Sequence, residues 1–305
     1  MSHSISRTIS ESKRANLTIA SPIIDVAPLF GLKTKDGSPV SNMGQGMVHW
    51  GPPSDAKLSA VAKMDDFKVH VYGHVQGHPQ LRQALLAKCQ SVNGITNKEI
   101  FVSPGSNQAF ANVVAAICDP GDEVIIFTPY YFNHHMALTL ANVTPVLVPL
   151  NDHDNLPNLE TLPSYITSKT KAIVLISPNN PTGTICPPEL SRAMQQLCEA
   201  RGLVFISDEA YEAFIYDEVK HISPKGPNVI NLFSFSKGFG MAGYRVGYSL
   251  VPPSLAPAVA KAADTYSITT SLFSQLMALE SVTMEVYMLG DVLVCAYRMC
   301  VLVTS

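Results

Sequence analysis

From Glu99 onward the chain alternates two kinds of apolar segment. Short runs rich in Val, Ile and Phe ("EIFVS", "EVIIFT", "TPVLVPL", "KAIVLIS", "LVFIS", "VINLFSFS" and "RVGYSLV") have the length and β-branched content of strands. Between several of them, apolar residues return at helical spacing in "NQAFANVVAAIC", "HHMALTLA" and "PPELSRAMQQLCEARG". Turn signals such as "DPGDE" separate the two kinds. The strands lack polar alternation, as expected where helices cover both faces of a sheet, and the strand–helix alternation makes that sheet largely parallel. An α/β fold with a mostly parallel central sheet flanked by helices is therefore predicted.

The first 95 or so residues follow another pattern. "NMGQGMVHWGPP" is a Gly/Pro-rich loop, and "VYGHVQGHPQLRQALLAKC" is a loop that runs into an amphipathic helix. The extreme N-terminus, "MSHSISRTISESKRANLTIA", is Ser-rich and weakly basic but has no apolar core of a secretory signal, so residues 1–34 are expected to be a short disordered leader, with a transit peptide as the alternative.

Composition narrows the function. With 305 residues, 47% of them hydrophobic, the chain can bury a large core. Lys plus Arg (21) nearly balance Asp plus Glu (24), so no polyanion-binding surface is expected and nucleic acid is a poor partner. Cys89, Cys118, Cys186, Cys198, Cys295 and Cys300 form no CxxC pair and no metal-ligand spacing, which predicts scattered reduced thiols, no metal and a cytoplasmic setting. No apolar run reaches spanning length; "DVLVCAYRMCVLVTS" at the C-terminus is short and interrupted by Arg298, so no membrane partner is expected.

In parallel α/β sheets ligands bind at the carboxyl ends of strands, and the unusual polar residues fall there: "SPGSNQ", "SPNNPTG", "SDEAY" and "SFSKG" each follow a predicted strand. Lys237 lies in the last. It reads either as a surface lysine whose stem snorkels outward or, since cationic neighbours make a lysine release its proton more readily, as a neutral amine that can form an imine with an aldehyde. Asp208 ends an apolar strand; it reads either as a helix N-cap or as a buried carboxylate paired with a protonated ring nitrogen. "PGSNQAF" opens a helix with small polar residues, a suitable cradle for phosphate. Tyr131 either stacks on a flat ring or simply packs.

In their order and spacing these motifs resemble the pyridoxal-phosphate-dependent aminotransferases of class I/II, fold type I, over roughly residues 35–280. "SFSKGFGMAGYRVGY" is similar to that family's cofactor-lysine signature, which makes Lys237 the residue of the internal aldimine and Ser234 and Arg245 holders of the cofactor phosphate, the guanidinium through bidentate charge-assisted bonds. The resemblance further implies that Gly105, Ser106 and Asn107 form the phosphate loop and that Tyr131 stacks on the ring. Asn180, next to Pro181 and Gly183 in "NNPTG", would bond the phenolic oxygen. Asp208 would keep the ring nitrogen protonated, with Tyr211 beside the phenolic oxygen. Gly46 would contact the substrate near its carboxylate. Tyr72 would reach the neighbouring subunit's phosphate, so a homodimer is implied.

The implied activity is a ping-pong transfer of an amino group from an L-amino acid to a 2-oxo acid. "GQGMVHWGPP" and "PYYFN" look most like a plant-type group acting on aromatic amino acids and methionine; Met47, Trp50 and Phe132 suit an apolar side chain or a place in the core. The resemblance stops near residue 280. Residues 281–305 are expected to be a divergent tail that stands where the family has a small C-terminal domain, and Arg298 is not placed to serve as that domain's carboxylate-binding arginine. Two alternatives accompany the aminotransferase reading: a catalytically impaired cofactor-binding or dimer-forming protein, and a carbon–sulfur lyase or aminocyclopropane-carboxylate-type synthase on the same scaffold.

Overall fold

The computed structural model describes residues 10–29, 31–40, 45–217 and 219–285. Helices α1 (Lys13–Leu17), α2 (Pro22–Val26), α3 (Ser54–Ala62) and α4 (Pro79–Ser91) precede the first strand. Then follow β1 (Glu99–Ser103), α5 (Gly105–Ile117), β2 (Glu123–Thr128), α6 (Phe132–Leu140), β3 (Thr144–Pro149), β4 (Thr170–Ile176), α7 (Pro188–Ala200) and β5 (Val204–Asp208). The remaining elements are β6 (Val229–Ser234), β7 (Gly247–Val251), α8 (Ala256–Tyr266) and α9 (Leu272–Glu285). Each predicted strand is present, and each predicted helix forms where its apolar period begins.

The strands make one sheet in the order β1-β7-β6-β5-β4-β2-β3. Neighbours from β6 through β3 are parallel, while β7 is antiparallel to both β1 and β6. The segment between β6 and β7 is a turn without a crossover helix, which permits only the antiparallel return. β3 carries Pro145 and Pro149 and lies at the edge of the sheet, where a missing N–H costs no ladder bond.

Successive residues of each strand enter opposite cores. Ala172 and Val174 of β4 join Phe110, Val113, Leu138 and Val259 from α5, α6 and α8, whereas Ile173 and Leu175 join Met194 and Cys198 of α7. Likewise Ile100 and Val102 face Leu81, Leu85 and Met277 of α4 and α9, and Phe101 faces α5. Both faces are covered, which explains the absence of polar alternation.

The N-terminal segment departs from expectation. It is helical at α1, where Ser12 caps the helix by accepting from the Ala15 amide at 3.3 Å, and at α2, where Pro22 opens the first turn. At the other end α9 continues to Glu285, and residues 286–305, with Arg298, lie outside the described residues.

A buried polar network fastens the excursion between β5 and β6 to α4. Glu209, wholly buried, is approached by His221 Nε2 at 2.9 Å and accepts from Asn231 Nδ2 at 2.8 Å and from Ser223 Oγ. Glu212 takes Lys88 Nζ at 2.5 Å and Asn93 Nδ2 at 2.9 Å, and Asn93 also donates to Ser223. Tyr211 lies between these two anchored carboxylates in the chain. Lys88→Met would strand Glu212 with one partner fewer in a largely buried setting, and is expected to lower the unfolding free energy by about 3 kcal/mol in a urea titration.

Candidate active site

The parallel strands deliver their carboxyl ends to one edge of the sheet. Register keeps those ends level: Ile176 lies opposite Asp208, Asp208 opposite Leu232, and both Ser103 and Ser234 pair with Gly247. The loops that follow enclose a cleft of about 630 Å³, whose walls include Gly46, Ser106, Asn107, Tyr131, Asn180, Asp208, Tyr211, Ser234, Lys237 and Arg245.

One end of the cleft is built for an anion. α5 begins at Gly105, whose φ of +80° favours glycine, and the absence of a Cβ there leaves room for the Arg245 guanidinium beside the first turn of α5. Arg245 is itself left-handed (φ 53°, ψ 59°). Its carbonyl accepts from Thr270 Oγ1 at 2.9 Å, and its guanidinium donates to Ala242 O at 2.8 Å and, more loosely, to Ser236 Oγ and Pro104 O. Ser234 Oγ accepts from the Ser236 amide at 3.1 Å. Helix amides, hydroxyls and a guanidinium thus converge at one point.

The opposite requirement is met at the end of β5. Asp208 is only 4% exposed, with Oδ2 3.0 Å from His134 Nε2 and Oδ1 accepting from the Ala210 amide at 3.0 Å. A turn, not a helix, follows Asp208, so the capping alternative reduces to that single amide bond. His134, also buried, packs 4.1 Å from the Phe110 ring and edge-on to Tyr131 at 5.3 Å. The Tyr131 hydroxyl donates to Asn107 Oδ1 at 3.1 Å and accepts from Asn133 at 2.9 Å, which ties the aromatic wall to the anion end.

Lys237 stands between these ends. Its Nζ donates to the Gly46 carbonyl and lies 5.6 Å from the centroid of the Tyr211 ring. Burial, aided by the Arg245 cation, lowers the proton affinity of its amine. Burial, with Tyr131 and Asp208 adding, pushes the Tyr211 phenol up to about 12, so it is a neutral donor at physiological pH.

Among the sequence-predicted residues, all but Gly105 and Tyr72 line this cleft; Tyr72 is 87% exposed and lies outside it. Gly105 contributes through its backbone, beneath Arg245. Met47 and Phe132 line the cleft, as does Ile23 of α2, whereas Trp50 packs behind the lysine turn. Sequence reasoning passed over His134 and Ser236. His134 is three residues past Tyr131 on α6, so helical spacing from the aromatic was the available signal; Ser236 is inside the quoted lysine motif. Among the described residues no cluster of His, Cys, Asp or Glu could hold a metal, and no helix is long and apolar enough to cross a membrane. Cys89, Cys118, Cys186 and Cys198 are free thiols.

The donor set fits pyridoxal phosphate: an anion cradle for the phosphate, a buried carboxylate for a protonated ring nitrogen, and a lysine of reduced basicity for the aldehyde. Because Asp208 depends on His134, His134→Leu would leave the carboxylate buried with one amide partner. It is expected to destabilise the fold by about 3 kcal/mol, most of which Asp208→Asn in the same chain recovers, as read by denaturant unfolding of both single variants and the double variant.

Comparison with known proteins agrees with this geometry. The family described as aminotransferase class I and II matches residues 39–285. An aromatic aminotransferase of Arabidopsis thaliana, ISS1, is 36% identical over 268 residues, covering 86% of this chain and 68% of the relative. A probable aspartate/prephenate aminotransferase of Thermus aquaticus is also 36% identical, over 70% of this chain and 57% of that protein, so the chain spans between about half and two thirds of these relatives' lengths. The aspartate aminotransferase of Thermus thermophilus, solved with maleate, superposes with a TM-score of 0.86 at 28% identity, covering 96% of this chain and 76% of that one. With the motifs in register, the cleft formed and the match extending over most of its length, the chain belongs to the class I and II aminotransferases, a family dependent on pyridoxal phosphate.

Proposed function

We propose that this chain transfers the amino group of an aromatic or sulfur-containing L-amino acid to a 2-oxo acid, in two half-reactions that use the same cleft. The observation that carries the reading is the meeting of Lys237, Asp208 and the anion cradle around one cavity. When bound, pyridoxal phosphate supplies an aldehyde that captures amino groups and a ring that draws electrons from the substrate Cα.

The protein's own groups do the rest. The α5 amides, Ser234 and Arg245 would hold the phosphate. Asp208, held by His134 and the Ala210 amide, is the carboxylate that would face the ring nitrogen and keep it protonated. Tyr211 and Asn180 would bond the phenolic oxygen. Lys237 would hold the cofactor through its aldehyde, and its amine, once released by substrate, would move a proton between the substrate Cα and the former aldehyde carbon on the far side of the imine nitrogen. Its reduced basicity leaves more of the amine neutral and able to do so.

Substrate class is supported by the walls. Ile23, Met47 and Phe132, which line the cleft, are apolar and suit an apolar substrate side chain. A homodimer is supported by the exposed row Leu58, Val61, Phe67, Val71 and Tyr72, whose apolar character suits burial against a second copy and would carry Tyr72 to the partner's phosphate end. Free thiols suit a cytoplasmic setting.

Purified chain mixed with pyridoxal phosphate is expected to show a visible absorption band that methionine, phenylalanine or tryptophan bleaches to the pyridoxamine form. Lys237→Ala should lose the band of the free holoenzyme, and its persistence would remove Lys237 from this role. Release of pyruvate or ammonia in place of amino transfer would instead indicate a lyase or synthase. Asp208→Asn should keep the cofactor but slow the half-reaction by roughly 10²- to 10³-fold in stopped-flow traces, the scale of one lost electrostatic partner; near-normal rates would sink the role of Asp208.

A further inference from the structure

The segment Gln45–Gly51 lies across the turn that carries Lys237, and one side chain fixes it there. Trp50 is the chain's only tryptophan. Its indole N–H donates to the carbonyl of Gly238, the residue after Lys237, at 3.1 Å. The backbone closes the other side: the Gly240 amide donates to Lys237 O at 3.0 Å, Gly240 has φ +63°, and a Cβ on it would collide with Trp50 O and stand 3.0 Å from Gly51. The indole also stacks on Phe214, with centroids 6.3 Å apart and planes at 22°, and Phe214 meets Tyr211 edge-on at 5.9 Å. One residue therefore grips the lysine turn twice and the tyrosine turn once. Four positions upstream on the same segment, Gly46 presents its carbonyl to Lys237 Nζ.

We propose that Trp50 is a positioning residue for the reaction: it clamps residues 45–51 onto the Lys237–Gly240 turn and so sets where the Lys237 amine stands between the Gly46 carbonyl and Tyr211. This rests on the reading of Lys237 as the cofactor-bonding amine. Trp50 does not line the cleft; it acts through Gly238, Gly46 and Phe214. The titratable groups around the amine are Arg245 from the turn before β7, Asp208 and Tyr211 from the end of β5, and Tyr131 from the start of α6. Trp50 bonds to none of them, so its loss changes the position and solvation of the amine and leaves its charged neighbours intact. Phenylalanine at position 50 keeps a ring for Phe214 but has no N–H for Gly238, and alanine has neither.

The test begins with cofactor-free protein. The pH dependence of Lys237 acylation by acetic anhydride, read by mass spectrometry of its peptide, gives the midpoint at which the amine loses its proton. Burial holds that midpoint down, so releasing the clamp admits water and favours the ammonium form. The midpoint is expected to rise by about half a pH unit in Trp50→Phe and by roughly one in Trp50→Ala, with the melting curve of Trp50→Phe close to that of the natural chain. Equal midpoints in all three chains would overturn the clamp. A measurement on the natural chain covers variants that fail to fold: its single indole N–H proton resonance should exchange slowly with water, and exchange as fast as free indole would also overturn it. Titration with pyridoxal phosphate then separates the two readings. A natural chain without a visible band refutes the cofactor role of Lys237 while the acylation midpoints still decide the clamp. With the band present, Trp50→Phe should lower kcat several-fold with little change in KM.

Discussion

A carboxylate buried at the end of the central strand has to be compensated from the protein side, and much of the site follows from that demand. Asp208 is compensated by His134 Nε2 and by the Ala210 amide. To bring His134 there, α6 must start directly after Tyr130 and Tyr131 and lie across α5, where Phe110 packs on the imidazole. That placement makes Tyr131 a cleft wall and lets its hydroxyl reach Asn107. The geometry around the pyridine end and the geometry around the phosphate end are thus linked through two side chains of one helix start.

The same charge economy recurs one residue further on. Glu209 points away from the cleft into a network with His221, Ser223 and Asn231, and Glu212 continues it to Lys88 on α4. Side chains at the end of β5 and just beyond it therefore divide the labour: Asp208 and Tyr211 line the cleft, while Glu209 and Glu212 anchor the backbone behind them. An anchored backbone is what allows a phenol with a proton affinity pushed up to about 12 to keep a fixed orientation toward the cleft.

The lysine turn is held differently. It has no helix or strand of its own between Ser234 and Ala242, so its conformation comes from what packs on it: Trp50 and Gly51 on one side, the α5 start and Arg245 near its end. A reactive amine on a turn can stand at a defined distance from its partners only if the surrounding segments are themselves fixed. The indole of Trp50 and the left-handed Arg245, whose carbonyl is tied to Thr270, are two such fixtures.

Local sequence determined much of this protein because its information is local and periodic. The strand runs, the helices between them and the polar loops after β1, β4, β5 and β6 are each written in a few consecutive residues, and a parallel sheet buried on both faces leaves a direct mark in the lack of alternation. That Ser106, Asn107, Asn180, Asp208 and Lys237 gather around one cleft was readable for the same reason: each lies in a short motif at a strand end. Only the tertiary structure decided what depends on residues far apart in the chain. It paired His134 with Asp208, set Trp50 against Gly238 across 188 positions, made β7 run against its neighbours, gave α1 and α2 to a segment that composition marks as disordered, and left Tyr72 facing outward from its own cleft. Spacing along the chain cannot encode such contacts, because they are fixed by how the sheet stacks its loops in space.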